Sequence, residues 1–535
     1  MLRRILISIF VVLFIISALP MAFSAASSVS VPGGNVTSYD ELFEALGGEA
    51  TAVLKKNDKG ETTAVQIFEN IELSSPVRIA SGEYVIYGAG ATVTASYKDE
   101  SFFEVSGENT ILVIGNPEGS TTIDTTFNGN EISRSGSVLT VDAKAKLVVY
   151  SGTVFKNIVT TASGGAVSNK GELILYGGKF EKCRAVVSGG AVYNEGEAVF
   201  AAGTMVECSS DIGGAVYNCG KATFIGTEMK TCMADKGGAI YNASELKYAS
   251  STISESKARL GGAIYNEKNC ELLGGSISNC SSENGEGGAI YNVSELVLTA
   301  GSLNGNISKK GGNIYNNGIL EMNKNIAISS GKAENGGNIY NDTLGKINSK
   351  GGSVTLGKAE FGAGVFNLGE MILEGGNYHS NRANVAGSGI LNHGAVSMLK
   401  NGYVDPDNDF FVVLSEDNAH ALKVLAGWEY NKQIVKLSCG IVTNAGYEYK
   451  ESVGDTLIIN EDDSVVIKDR FDLYNKNGFV LSDNGKIAKA PGDFTEVFYI
   501  VGAVVAFAVV VAAIVITVRF FDKKKSSANG ADDYF

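Results

Sequence analysis

The sequence predicts an all-β fold, a right-handed parallel β-helix solenoid of about 25 residues per coil. One N-terminal capping helix and a C-terminal transmembrane helix are expected at its ends. Three observations carry this. First, a six-residue phrase recurs ten times at intervals of 24 to 26 residues, most often as Gly-Gly-Ala-Ile-Tyr-Asn, with its asparagine at 169, 194, 218, 242, 266, 292, 316, 341, 367 and 392. A fixed period of this kind marks repeats that cannot bury an apolar face alone and must stack. Second, the residue two places before each asparagine is always Val or Ile, as an inward strand position in a narrow core requires. Third, 66 glycines against 6 prolines describe a turn-rich β protein, with 44% hydrophobic residues, too many for disorder. A leucine-rich repeat has a similar period, but its L-x-x-L-x-L signature is absent.

Taken in order, residues 1–24 carry Arg3 and Arg4, a long apolar run and then small residues, which is the layout of a secretory signal peptide. Residues 25–144 read as an N-terminal cap followed by irregular coils. Within them 37–50 fits one short helix, with Ser38 or Asp40 as N-cap and Leu42, Phe43 and Leu46 as its apolar face. Residues 145–405 are the regular repeats. Four and six places after each asparagine fall pairs such as Leu173/Leu175, Ala198/Phe200 and Ala222/Phe224, a second strand with those residues inward. A third apolar position follows at Phe180, Met205, Met229, Ile253, Ile277 and Leu303. Three residues beyond it runs a small or polar ladder: Cys183, Cys208, Cys232, Ser256, Cys280, Asn306, Gly331, Gly357 and Asn381. Each coil is therefore expected to hold three short strands, and the corner before each Gly-Gly to be the loop that tolerates insertion.

The phrase stops near 405. Residues 406–496 keep β-type runs without the period and read as C-terminal coils and a cap, or a β stalk. Residues 497–518 are an uncharged stretch of 22, long enough to span a bilayer. Arg519, Lys523, Lys524 and Lys525 follow, so the tail 519–535 is expected in the cytoplasm and the repeats outside the cell membrane.

The pairing of GGA[VI]YN with an apolar-x-x-Asn/Cys element resembles the GGAI and FxxN repeats of polymorphic membrane proteins, over roughly 150–400. That resemblance implies a pectin-lyase-like β-helix, surface exposure and adhesion. Phenylalanine fills the FxxN slot only at Phe180, where Cys183 replaces the asparagine, and the family's C-terminal barrel gives way here to a single apolar segment.

If the motif Val or Ile faces inward, the next residue faces outward: Tyr193, Tyr217, Tyr241, Tyr265, Tyr291, Tyr315 and Tyr340. An exposed aromatic stripe is thus the expected binding surface, for a polysaccharide or a cell-surface protein. Stacking that merely stabilises the sheet is the other reading. The motif asparagines are expected to hydrogen-bond from coil to coil. The cysteines suit core packing better than disulfides or thiolate metal sites. Glu172, Glu197, Glu245, Glu295 and Glu370 share one outward slot, interrupted by Lys221 and Asn269, and read as a solvated face with no metal.

His379, His393 and His420 stand apart in the sequence, and Asp405, Asp407 and Asp409 lie in a turn-like run. No catalytic residue and no cofactor is assigned. A net charge of −14 argues against nucleic acid as a partner. The reading is a membrane-anchored, adhesin-like binder. A polysaccharide lyase or hydrolase on the same scaffold is the alternative, followed by a structural coat protein.

Overall fold

The computed structural model describes residues 27–490, apart from 120–122, 417, 430–433, 444–445, 452–453, 462–464, 466 and 474–478, together with scattered helical positions between 507 and 519. The signal-peptide segment, most of 497–518 and nearly all of the tail lie outside the described residues. Among the described residues no helix is long and apolar enough to cross a membrane.

The chain winds as a parallel β-solenoid of about 15 turns, with about 25 residues per turn. One coil shows how. Its motif strand is Val216–Asn218, followed by Lys221–Phe224 and Glu228–Lys230. Each strand pairs in parallel with its counterpart in the next coil and in strict register: Val216 on Ile240, Tyr217 on Tyr241, Asn218 on Asn242. Because side chains alternate with period two, like stacks on like along the whole axis. The motif Val and Ile residues are fully buried, and phenylalanines stack inside the shaft, Phe200 on Phe224 with centroids 4.2 Å apart.

The two motif glycines serve different needs. The first adopts a left-handed φ, +64° at Gly237, where a side chain would lie 2.1 Å from the Ile240 carbonyl oxygen. At the second, the next coil is too close: a Cβ on Gly238 would fall 2.1 Å from the carbonyl oxygen of Gly262.

The motif asparagines form an unbroken internal ladder. From Asn169 to Asn392, each Nδ2 donates to the Oδ1 of the next copy at 2.7–2.9 Å, and all are fully buried. Each also donates to backbone carbonyls, as Asn242 does to Asn269 at 2.9 Å, so the buried amides are satisfied.

Three separate strands per coil were expected, and here the structure differs. In later coils the second and third strands run on as one bent strand: Glu295–Asn304, Ile319–Ser329, Lys346–Thr355 and Glu370–His379. In three of the four the bend falls at a glycine with positive φ, Gly301, Gly352 or Gly376 (+111°, +80° and +108°), so the ladder turns without ending. The corner before Gly-Gly supplies the third face, as short pairings such as Ser281–Glu286 with Ile307–Lys310.

At the N-terminus, helix α1 spans Tyr39–Ala45. Ser38 Oγ accepts the Glu41 N–H at 3.1 Å, while Leu42 and Leu46 are buried on the first coil. The helix is shorter than the expected 37–50 because Gly47 turns left-handed and a 3-10 turn follows. Beyond 405 the motif-face ladder continues through Asp409–Val413, Val435–Thr443 and Phe471–Leu473.

Candidate functional site

Strict register sets tyrosine on tyrosine. Tyr193, Tyr217, Tyr241, Tyr265, Tyr291, Tyr315 and Tyr340 form one column, continued by Phe366, with centroids 4.6–5.4 Å apart and planes within 6–13° of parallel. The rings point outward as the alternation requires, but the expectation of an exposed stripe needs correcting. Tyr241, Tyr315 and Tyr340 are only 8%, 4% and 6% exposed, and the other four are half-buried. The cause is the stacking itself. Each ring covers the faces of its neighbours and leaves mainly an edge to solvent.

Polar groups line both sides of the column. On one side stands the residue that follows each motif asparagine in the next coil. Glu267 accepts the Tyr241 hydroxyl at 2.7 Å, Asp342 accepts that of Tyr315, and Cys219 Sγ lies 3.8 Å from the Tyr193 hydroxyl. On the other side, lysines precede the Gly-Gly corner. Lys236 Nζ sits 5.3 Å from the Tyr265 ring, and Lys310 Nζ 5.2 Å from that of Tyr340, a cation–π arrangement. Burial holds these phenols above their ordinary value, Tyr291 up to about 12, and the carboxylates add to this at Tyr241 and Tyr315. The flanking residues were missed from sequence. The available signal was the spacing: Cys219, Glu267 and Asp342 lie one coil plus two residues beyond their tyrosines, and Lys236 and Lys310 one coil plus five residues before theirs.

A second feature lies at the bend between the second and third strands of the last coils. A cleft of about 820 Å³ gathers Lys324, Lys350, Lys400, Glu374, Asp405 and Trp428 over a glycine floor. Lys350 pairs with Glu321 at 2.8 Å and Lys400 with Glu374, so two of its three lysines are neutralised locally.

The remaining sequence candidates fall elsewhere. Glu172, Glu197 and Glu370 pair with Lys146, Lys221 and Lys346 at 2.9–3.3 Å, and among the described residues no group of acidic, His or Cys side chains is placed to hold a metal. The cysteines carry no disulfide, and Cys183, Cys208 and Cys232 are buried in one column, where contact between the thiols and desolvation push Cys208 and Cys232 well up.

Asp405, Asp407 and Asp409 diverge. Asp407 accepts from Ser380, whereas buried Asp409 accepts from Ser388 N at 2.6 Å and Ser438 Oγ at 2.5 Å. His379 stands alone beside Ser380, but His393 and His420 come together, with ring centroids 4.8 Å apart.

No family model, curated protein or solved structure matches this chain. Its function is therefore read from its own surface.

Proposed function

We propose that this chain is a surface-displayed binding solenoid whose motif face recognises an extended partner, without catalysis. The observation that carries this reading is the continuous column of seven tyrosines, bordered by Lys236 and Lys310 on one side and Glu267 and Asp342 on the other. Such a strip, about 30 Å long at one strand spacing per coil, offers apolar edges between two charged margins. Sugar rings bind aromatic side chains by stacking on their faces, and here neighbouring rings occupy those faces. A protein surface, which can pack against edges and pair with both margins, is thus favoured over a glycan as the ligand.

In this reading 1–24 directs export, 497–518 anchors the chain in the cell membrane with 519–535 inside, and the winding is right-handed and polymorphic-membrane-protein-like. A polysaccharide-active enzyme on the same scaffold is the second reading. It draws support from the Lys324, Lys350, Lys400 and Asp405 cleft, where an acidic sugar would find lysines beside Trp428.

The deciding experiment presents the purified ectodomain to whole cells and to a panel of polysaccharides, following retention and bond cleavage together. Retention on a protease-sensitive cell component, weakened about tenfold by Tyr217→Ala or Tyr265→Ala, is the expected outcome. Polysaccharide cleavage that Lys400→Ala abolishes and the tyrosine variants leave intact would replace this reading with the enzymatic one.

A further inference from the structure

The C-terminal end of the aromatic column is not open. The strand Val435–Thr443 follows the parallel ladder as far as Gly440. Its end, Gly440–Thr443, then pairs antiparallel with Gly446–Tyr449, and this hairpin reaches back across the motif face. Its Tyr447 meets Phe361, Phe366 and Phe411 edge-on, with centroids 5.4, 5.8 and 6.4 Å apart. Gly446 lies so close beneath that a Cβ there would stand 2.4 Å from the Phe361 ring. Beneath Tyr447 lies a histidine pair. His393 Nδ1 lies 3.0 Å from the Tyr447 hydroxyl, and the His393 ring stands edge-to-face against His420. The chain has three histidines, and two of them meet here.

We propose that this hairpin is an acid-released strap: protonation of His393, packed against His420, lifts Tyr447 from the column and exposes Phe366 and Tyr340. Neutral His393 accepts the Tyr447 O–H at Nδ1. A protonated ring loses that acceptor and sets its charge against His420, which is itself held by Nδ1 to the Gly394 carbonyl at 3.3 Å. Burial first, and His420 second, hold the His393 imidazole below its ordinary value. The lifted form lets water reach the ring and so binds the proton more readily. The strap is therefore closed above about pH 6.5 and loses ground as the pH falls.

The other groups around it do not reproduce this. Asp409 holds the hairpin's far side through Ser438 and Tyr449. Glu448 is exposed, and Asp342 lies beyond Tyr340. Glu451, at the hairpin's base, has a carboxyl raised by burial and acts in the opposite sense.

The test is amide hydrogen exchange of the intact protein, corrected for intrinsic rates, at about pH 7.5 and about pH 5.5. Protection of Ile441–Thr443 and Gly446–Tyr449 is expected to fall several-fold on acidification, up to about tenfold for each unit by which the imidazole is held down. The motif strands from Val192 to Asn316 should not change. In His393→Gln, whose amide oxygen keeps an acceptor, the hairpin's pH response should vanish, and in His420→Gln it should shrink. Protection that is indifferent to pH, or an equal fall in His393→Gln, would overturn the strap. Should His393→Gln leave the hairpin open at both pH values, an undiminished response in His420→Gln would overturn it instead.

Discussion

The asparagine ladder sets the terms at the scale of single residues. Asn242 accepts from Asn218 at 2.9 Å, donates to Asn266 at 2.8 Å, and is fully buried. Asn242→Ala should destabilise the repeat region by roughly 1–3 kcal/mol, because it takes the donor from buried Asn266 Oδ1 and one of three acceptors from Asn218 Nδ2. Asn242→Asp should cost at least as much, since a carboxylate cannot donate to Asn266 Oδ1. Urea midpoints of the purified protein check both, and equal midpoints for Asn242→Ala and wild type would contradict the ladder's weight.

A second, shorter ladder explains a change in the repeat itself. Where Gly-Gly-Ala becomes Gly-Gly-Asn, Asn313 donates to Asn338 at 2.8 Å, and Asn338 to Asn381 at 3.1 Å. Their amides occupy the room left by Gly331 and Gly357, where a Cβ would lie 2.7 Å from Asn313 Nδ2 or Asn338 Nδ2. The sequence displays both substitutions but not their link, because the two slots meet only across the shaft.

Among the structural elements, the tyrosine column makes the clearest prediction. Its phenols are held above the ordinary value of about 10, mainly by desolvation. A group whose folded value is raised contributes stability in full below its unfolded value and loses it as pH rises. The solenoid should therefore weaken above about pH 10, as unfolded tyrosines ionise while the stacked ones resist. Absorbance titration of phenolate should show most column tyrosines ionising together with loss of β-sheet circular dichroism. Independent titration near the ordinary value would count against the stack.

That a column exists was legible from the period-two alternation of Ile, Tyr and Asn. Its partial burial was not, because stacking hides ring faces in a way alternation cannot express. The hairpin was also illegible. His393, His420 and Tyr447 lie in different coils and come together only through register and a reversal of strand direction.

For the whole molecule, the period foretold the solenoid, since ten copies in fixed phase leave little else to do with their apolar faces. About 15 turns stack into a shaft roughly 70 Å long at one strand spacing per turn. The aperiodic ends were harder to read, since their coils pack without the motif and only backbone pairing reveals them. The like-on-like pairing of the motif coils has one more consequence. Asn242 and Asn266 stand 24 residues apart in equivalent places. Excision of residues 243–266 brings Glu267 directly after Asn242 and leaves that amide facing Asn292, so the joint should heal without a seam. A folded variant shorter by about 4.8 Å in scattering profile is the expected product. Height is thus a quantised property of this molecule, adjustable by whole-unit duplication or loss, like courses of brick in a wall.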